Sequence, residues 1–138
     1  IEEILRAAMQ APSSKGACPW EFVVVDDNEA SLKLIEKILT KYNIKVETVS
    51  LGKLALDKIR RKEKYDLILV DEEMPYIDGE ELMYKLNKIE GFNTKVILLT
   101  KNNNVIYDDY YKDKGFSDYI LKPIDKRELI NKILDNTK

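Results

Sequence analysis

Three apolar runs end in residues that could do chemistry. Glu21–Val25 finishes in Asp26-Asp27, Leu67–Val70 in Asp71, and Val96–Leu99 in Thr100. A fourth, the brief Tyr119–Leu121, finishes in Lys122. Carboxylates gathered in one place repel one another unless a cation lies between them. Hard oxygen ligands of this kind select Mg²⁺ or a similar ion such as Mn²⁺, which keeps several waters and accepts a phosphate oxygen. One carboxylate can then act as a nucleophile toward phosphorus, because phosphoryl transfer needs mainly positioning and charge neutralisation. Lys122 would supply a mobile cation and Thr100 a hydroxyl donor. Each residue alone has an ordinary explanation. Asp27 or Asn28 can cap the helix that follows, Thr100 can simply end a strand, and Lys122 can be a surface lysine. Their joint occurrence, in order at the ends of four different strands, is much harder to explain that way.

These residues meet only if the strands bring them together. Asn28–Tyr42 carries Leu32, Ile35, Ile38, Leu39 and Tyr42 at helical spacing, and Ile44–Val49 alternates as a less buried strand does. A short helix is expected around Leu54, Ala55, Leu56 and Ile59, another over Gly79–Ile89, and a polar one over Asn103–Lys114, closed by Gly115. Asp125–Leu134 forms the last helix, with Asp125 and Glu128 spaced as a capping box. Five strand–helix pairs with continuous apolar strands predict an α/β fold whose parallel sheet is covered on both faces by helices. In such a sheet ligands bind outside the carboxyl ends of the strands. All five polar residues should therefore converge on one pocket.

Composition narrows the function further. The 138 residues suit one compact domain, and 44% hydrophobic residues are enough for a core. Lys and Arg total 23 against 25 Asp and Glu, a net charge of −2 that lacks the basic excess of nucleic-acid binders. The chain has no histidine, which excludes Ser-His-Asp and Cys-His catalysis and the usual zinc sites. Any phosphohistidine donor must then lie outside this sequence. The single cysteine, Cys18, forms no intrachain disulfide and fits a reducing compartment. No apolar run reaches bilayer-spanning length and no secretory signal opens the sequence, so a cytoplasmic protein without membrane contact is expected.

The motifs VVVDDN at 23–28, LILVDEEMPYIDG at 67–79, VILLT at 96–100 and DYILKPID at 118–125 resemble the receiver domains of bacterial two-component systems, the CheY-like family. The likeness covers roughly residues 21–138, and the wording of the last motif is most like receivers attached to hybrid histidine kinases. It implies a flavodoxin-like (βα)5 fold with strand order 2-1-3-4-5. It also implies roles by position. Asp71 matches the phosphorylated aspartate, Asp27 the direct metal ligand and Asp26 the outer acid that holds a metal-bound water. Glu73 matches the residue whose backbone carbonyl completes metal binding. Thr100 and Lys122 match the hydroxyl and the lysine that engage the phosphoryl group. Tyr119 matches the aromatic switch residue, and the Lys122–Pro123 bond is expected to be cis. The implied partners are a histidine kinase or phosphotransfer protein as donor, and an output protein at the face of the fourth helix, fifth strand and fifth helix. Tyr107, Tyr110 and Tyr111 suit a partner-facing helix there, or equally a partly buried amphipathic one. Two departures stand out: Lys101 follows Thr100 where the family has a small residue, and Glu73 adds a carboxylate near the pocket.

Residues 1–20 lie outside this rhythm and read as a helix followed by a loop rich in Pro, Ser and Gly. EILRAAMQAPSSKGACPWEFVVV at 3–25 resembles the N-terminal part of flavin-dependent nitroreductases. It has Gly16 and Cys18 where that family commonly has amide side chains, and the rest of that fold is missing, so no FMN site is expected. The overlap at EFVVVDD is what a chimera of two folds would produce. The alternative is a natural extension whose apolar helix face packs on the domain, with Trp20 as anchor in either case. Three other functions compete with this one. A degenerate receiver acting only as a protein-interaction module is opposed by the complete set of key residues. An aspartate-nucleophile phosphatase is opposed by the absence of DxD spacing at Asp26-Asp27. A flavin oxidoreductase rests on residues 3–25 alone.

Overall fold

The computed structural model describes residues 20–101 and 108–137. Among them five strands alternate with five helices: β1 (Trp20–Val25), α1 (Glu29–Thr40), β2 (Ile44–Val49), α2 (Gly52–Arg60), β3 (Leu67–Asp71), α3 (Gly79–Asn87), β4 (Lys95–Thr100), α4 (Asp108–Asp113), β5 (Asp118–Leu121) and α5 (Lys126–Thr137). The strands form one parallel sheet in the order β2-β1-β3-β4-β5. This is the flavodoxin-like arrangement expected from the motifs. The extra N-terminal helix and the nitroreductase-like stretch up to Pro19 lie outside the described residues. Trp20 already belongs to β1, one residue before the expected start of the domain.

Strand parity divides the core into two layers, because successive side chains leave a strand on opposite faces. Phe22, Val24, Leu67, Leu69, Ile97, Leu99 and Ile120 pack against Leu32, Ile35 and Leu39 of α1 and Leu129, Ile130 and Ile133 of α5. Val23, Val25, Ile68, Val70, Val96 and Leu98 pack on the other face against Leu56 of α2, Leu82, Met83 and Leu86 of α3, and Tyr111 of α4. Even-numbered residues of β3 and β4 therefore face α2, α3 and α4.

Helix ends follow local chemistry. The Asn28 side chain caps α1 by accepting from the Ser31 N–H at 3.1 Å, and Asp78 caps α3 through the Glu81 N–H at 2.8 Å. Asp125 accepts from the N–H groups of Arg127 and Glu128 at the start of α5. The reciprocal half of the expected capping box does not form. Glu128 instead accepts from the Leu121 N–H at 3.2 Å, tying α5 to the end of β5. The described part of α4 is shorter than the helix read from the sequence, whose residues 103–107 lie outside the described set. It closes in a Schellman turn, with Phe116 N–H on Tyr111 O and Gly115 N–H on Lys112 O. The turn needs a positive φ, which Gly115 supplies at 107°.

Gly79 is required by space. A Cβ there would lie 2.7 Å from the Asp71 carbonyl oxygen and 3.0 Å from the Glu72 Cα. The start of α3 thus presses directly on the backbone that carries Asp71. Gly79→Ala is expected to lower stability by about 1–3 kcal/mol through overpacking. Urea unfolding checks this, and an unchanged midpoint would contradict the tight approach.

Candidate functional site

Topology creates the site. The chain leaves β1 toward β2 on one side and returns to β3 on the other, so a crevice opens at the carboxyl ends of β1 and β3. Register then aligns the side chains. Val25 lies opposite Val70, Asp71 opposite Leu99, and Thr100 opposite Leu121. Asp26, Asp71, Thr100 and Lys122 therefore stand at nearly one level along the sheet edge. Asp27, Asn28, Ser31, Asp71, Glu73, Met74, Lys101 and Lys122 are among the residues lining an open cleft of about 950 Å³ there.

Asp26 is fully buried. Its Oδ1 accepts from the Asn28 N–H at 2.9 Å and its Oδ2 takes the Lys122 Nζ at 2.7 Å. The same Nζ lies 3.1 Å from Asp71 Oδ1. Asp27 is exposed at the rim. One carboxylate oxygen each from Asp26, Asp27 and Asp71 lies within 4.8 Å of the others. Three carboxylates thus face one ammonium. Oxygen donors at this separation fit a hard divalent cation. Of the expected site residues, the structure brings together Asp26, Asp27, Asp71 and Lys122, with Thr100 lining the same cleft. Glu73 lines the cleft with its side chain in solvent. The Lys122–Pro123 bond is cis.

Burial raises the Asp71 carboxyl most strongly; Lys122 pulls it back and Asp26 pushes it up again, leaving it at about 6 against an ordinary 3.8. For Lys122 burial favours the neutral amine, but the hydrogen bonds and charges of Asp26 and Asp71 outweigh it, and its pKa is raised. Both effects come from the same crowding of acids in a half-dry cleft.

Thr100 is buried, and its hydroxyl donates to Glu72 Oε1 at 2.6 Å. The other oxygen of Glu72 accepts from the Tyr111 phenol at 3.0 Å. Tyr111 is only 3% exposed, so it does not face a partner; of the tyrosines described on α4, Tyr110 is the outward one. The Tyr111 ring packs on Tyr119 with centroids 5.7 Å apart, and Tyr119 is half-buried at the edge of this cluster. Glu72 was not among the residues singled out from the sequence. Parity could have found it: Glu72 continues β3 with an N–H bond to Leu99 O, on the face of Val70, Thr100 and α4.

Residues 22–134 match the response regulator receiver domain family, and the chain belongs to it. It is 36% identical over 110 residues to the two-component response regulator ORR26 of Oryza sativa subsp. japonica, covering 79% of this chain but 19% of that protein. The chain thus spans about a fifth of that relative's length. The receiver domain of the Francisella response regulator 1452 superposes with a TM-score of 0.77 at 30% identity, covering 85% of this chain and 95% of that one. The receiver domain of sensor histidine kinase PA1611 from Pseudomonas aeruginosa PAO1, solved with a magnesium ion coordinated in its active-site cleft, gives 0.73 at 29% identity, covering 84% and 94%. The protein is therefore a receiver domain of two-component signalling. Among the described residues no helix is long and apolar enough to cross a membrane.

The raised Asp71 carboxyl binds its proton more tightly when folded than when unfolded. Its contribution to stability is full below the unfolded value and is lost as pH rises through the folded one. In EDTA, Asp71→Asn is expected to melt close to the parent near about pH 4 and above it by about pH 7.5. Thermal melts across that range check this; a gap that does not widen with pH would contradict it.

Proposed function

We propose that Asp71 accepts a phosphoryl group in a Mg²⁺-dependent reaction, and that this switches a partner-binding face. The observation that carries the proposal is the Asp71 carboxylate at a solvent-open cleft, with Lys122 Nζ at 3.1 Å and Asp26 and Asp27 beside it. Asp27 and Asp71 would hold the metal by their carboxylates, Asp26 through a metal-bound water, and Glu73 by its backbone carbonyl. When bound, Mg²⁺ (or Mn²⁺) neutralises charge on the phosphoryl oxygens. Asp71 supplies the attacking oxygen: a new P–O bond forms to the carboxylate while the bond from phosphorus to the donor breaks. Lys122 is already on the Asp71 side of the cleft and pairs with the added charge. Thr100 donates its hydroxyl to the phosphoryl oxygens.

The donor is a phosphohistidine on a histidine kinase or phosphotransfer protein. The family supports this, as does 34% identity over 113 residues to the hybrid signal transduction histidine kinase L of Dictyostelium discoideum. A receiver of the hybrid-kinase type fits that likeness. Magnesium in the cleft of the Pseudomonas receiver supports the metal assignment. Hydrolysis of the acyl phosphate resets the domain, with no turnover of an external substrate. Rearrangement of Thr100 makes room for Tyr119 to move inward, and the face of α4, β5 and α5 presents itself to an output protein. A cytoplasmic setting, without nucleic acid or membrane as direct partner, completes the reading.

Intact-protein mass spectrometry after incubation with acetyl phosphate is expected to show one added phosphoryl with Mg²⁺. None is expected without the metal, and none in Asp71→Asn. No addition to the folded parent would favour a module that only binds partners. Lys101 lines the cleft and is exposed, placing a second cation near the acceptor. Lys101→Ala is expected to change the dephosphorylation rate; equal rates would remove Lys101 from the account.

A further inference from the structure

Resting on the reading of Asp71 as acceptor, we propose that Glu72 is a positioning residue. It occupies the Thr100 hydroxyl before phosphorylation and, through Tyr111, ties that hydroxyl to helix α4. A threonine hydroxyl has one proton and can donate to one acceptor at a time. In this structure that proton points at Glu72 Oε1, at 2.6 Å. While it does so, it is not available to a phosphoryl oxygen. Bonds from a hydroxyl to an ionised carboxylate are shorter and stronger than neutral ones, so release has a real cost.

Glu72 is itself held. Its second oxygen accepts from Tyr111 at 3.0 Å, and the Glu72 N–H and C=O are both engaged, with Leu99 O at 2.8 Å and Gly79 N at 3.0 Å. Backbone and carboxylate are thus fixed from β4, α3 and α4 together. Tyr111 is buried, packed edge-on with Phe116 at 6.4 Å and tilted against Tyr119 at 5.7 Å. The Thr100 hydroxyl and the Tyr111 phenol are thus held by the two oxygens of one carboxylate. The result is a continuous path from Thr100 through Glu72 and Tyr111 to Tyr119. When Thr100 turns to the phosphoryl group, Glu72 loses one of its two hydroxyl donors. The carboxylate is then left with the phenol of Tyr111, and α4 and Tyr119 register the change. The cleft and the output face are linked by one side chain as well as by the space that Thr100 vacates.

The test is the initial rate of phosphoryl uptake from acetyl phosphate with Mg²⁺, read by intact mass. Glu72→Ala is expected to raise the rate about tenfold, as loss of a charge-assisted bond to a hydroxyl implies. Glu72→Gln, which keeps an acceptor of the same length without the charge, gives a smaller rise. Tyr111→Phe, whose change lies outside the cleft, removes the donor that would hold the carboxylate once Thr100 leaves; it is expected to lower the rate and serves if Glu72→Ala fails to fold. Removing a negative charge beside the acceptor would also help phosphoryl entry, and the Thr100→Ala background separates the two causes. There Glu72→Ala is expected to change the rate less than about twofold, since the bond it would break is already gone. An equal rise in both backgrounds, or no rise in either, would overturn the role of Glu72 while leaving Asp71 as acceptor. A parent that takes up no phosphoryl would overturn both.

Discussion

The Lys122 ammonium, held between Asp26 and Asp71, is the interaction on which the site depends. Asp26 is wholly buried, and a buried carboxylate without a partner is strongly unfavourable. Lys122 offsets one charge but faces three carboxylates, so the cleft keeps an excess of negative charge. Burial, with Asp26 beside it, holds Asp71 above the ordinary carboxylate range, and the excess of negative charge prepares a place for a divalent cation. A site fully neutralised by protein groups would have no use for a metal, and a site with no lysine would leave Asp26 unsupported.

Everything else in the fold serves to hold that imbalance steady. The switch in strand order at β1, with β2 added on one side and β3 on the other, puts Asp26 and Asp71 at the ends of neighbouring strands, although they are far apart in sequence. The close approach of Gly79 presses α3 onto the backbone under Asp71. The bond from Lys122 N–H to Thr100 O, at 2.8 Å, carries the sheet register past the end of β5 and into the cleft. Glu128, by accepting from Leu121 N–H, anchors the same edge to α5. The acids and the lysine thus meet on rigid elements, while the cleft mouth stays open to a donor.

Much of this was legible in the sequence, for physical reasons. Long apolar runs mark parallel strands buried on both faces, and polar residues at their carboxyl ends mark the crevice. The five pocket residues could therefore be named before the strands were placed. What was less legible depended on three-dimensional competition between partners. Glu128 has capping-box spacing, yet the free N–H of Leu121 takes its carboxylate. Tyr110 and Tyr111 are neighbours of the same type, yet one faces outward and the other is buried, a difference set by how α4 sits on the sheet. Glu72 stands beside Asp71 and, in the sequence, looks like one more surface acid. Only the parity of β3 and β4 places it on the face of Thr100 and Tyr111.

The central claim is that Asp71, among three neighbouring carboxylates, is the one that receives phosphorus. Borohydride reduction of the phosphorylated protein converts an aspartyl phosphate to homoserine, and peptide sequencing by mass spectrometry then locates it. The account predicts homoserine at position 71, dependent on Mg²⁺ during phosphorylation. Homoserine at position 26 or 27 instead, or at 71 regardless of metal, would contradict it.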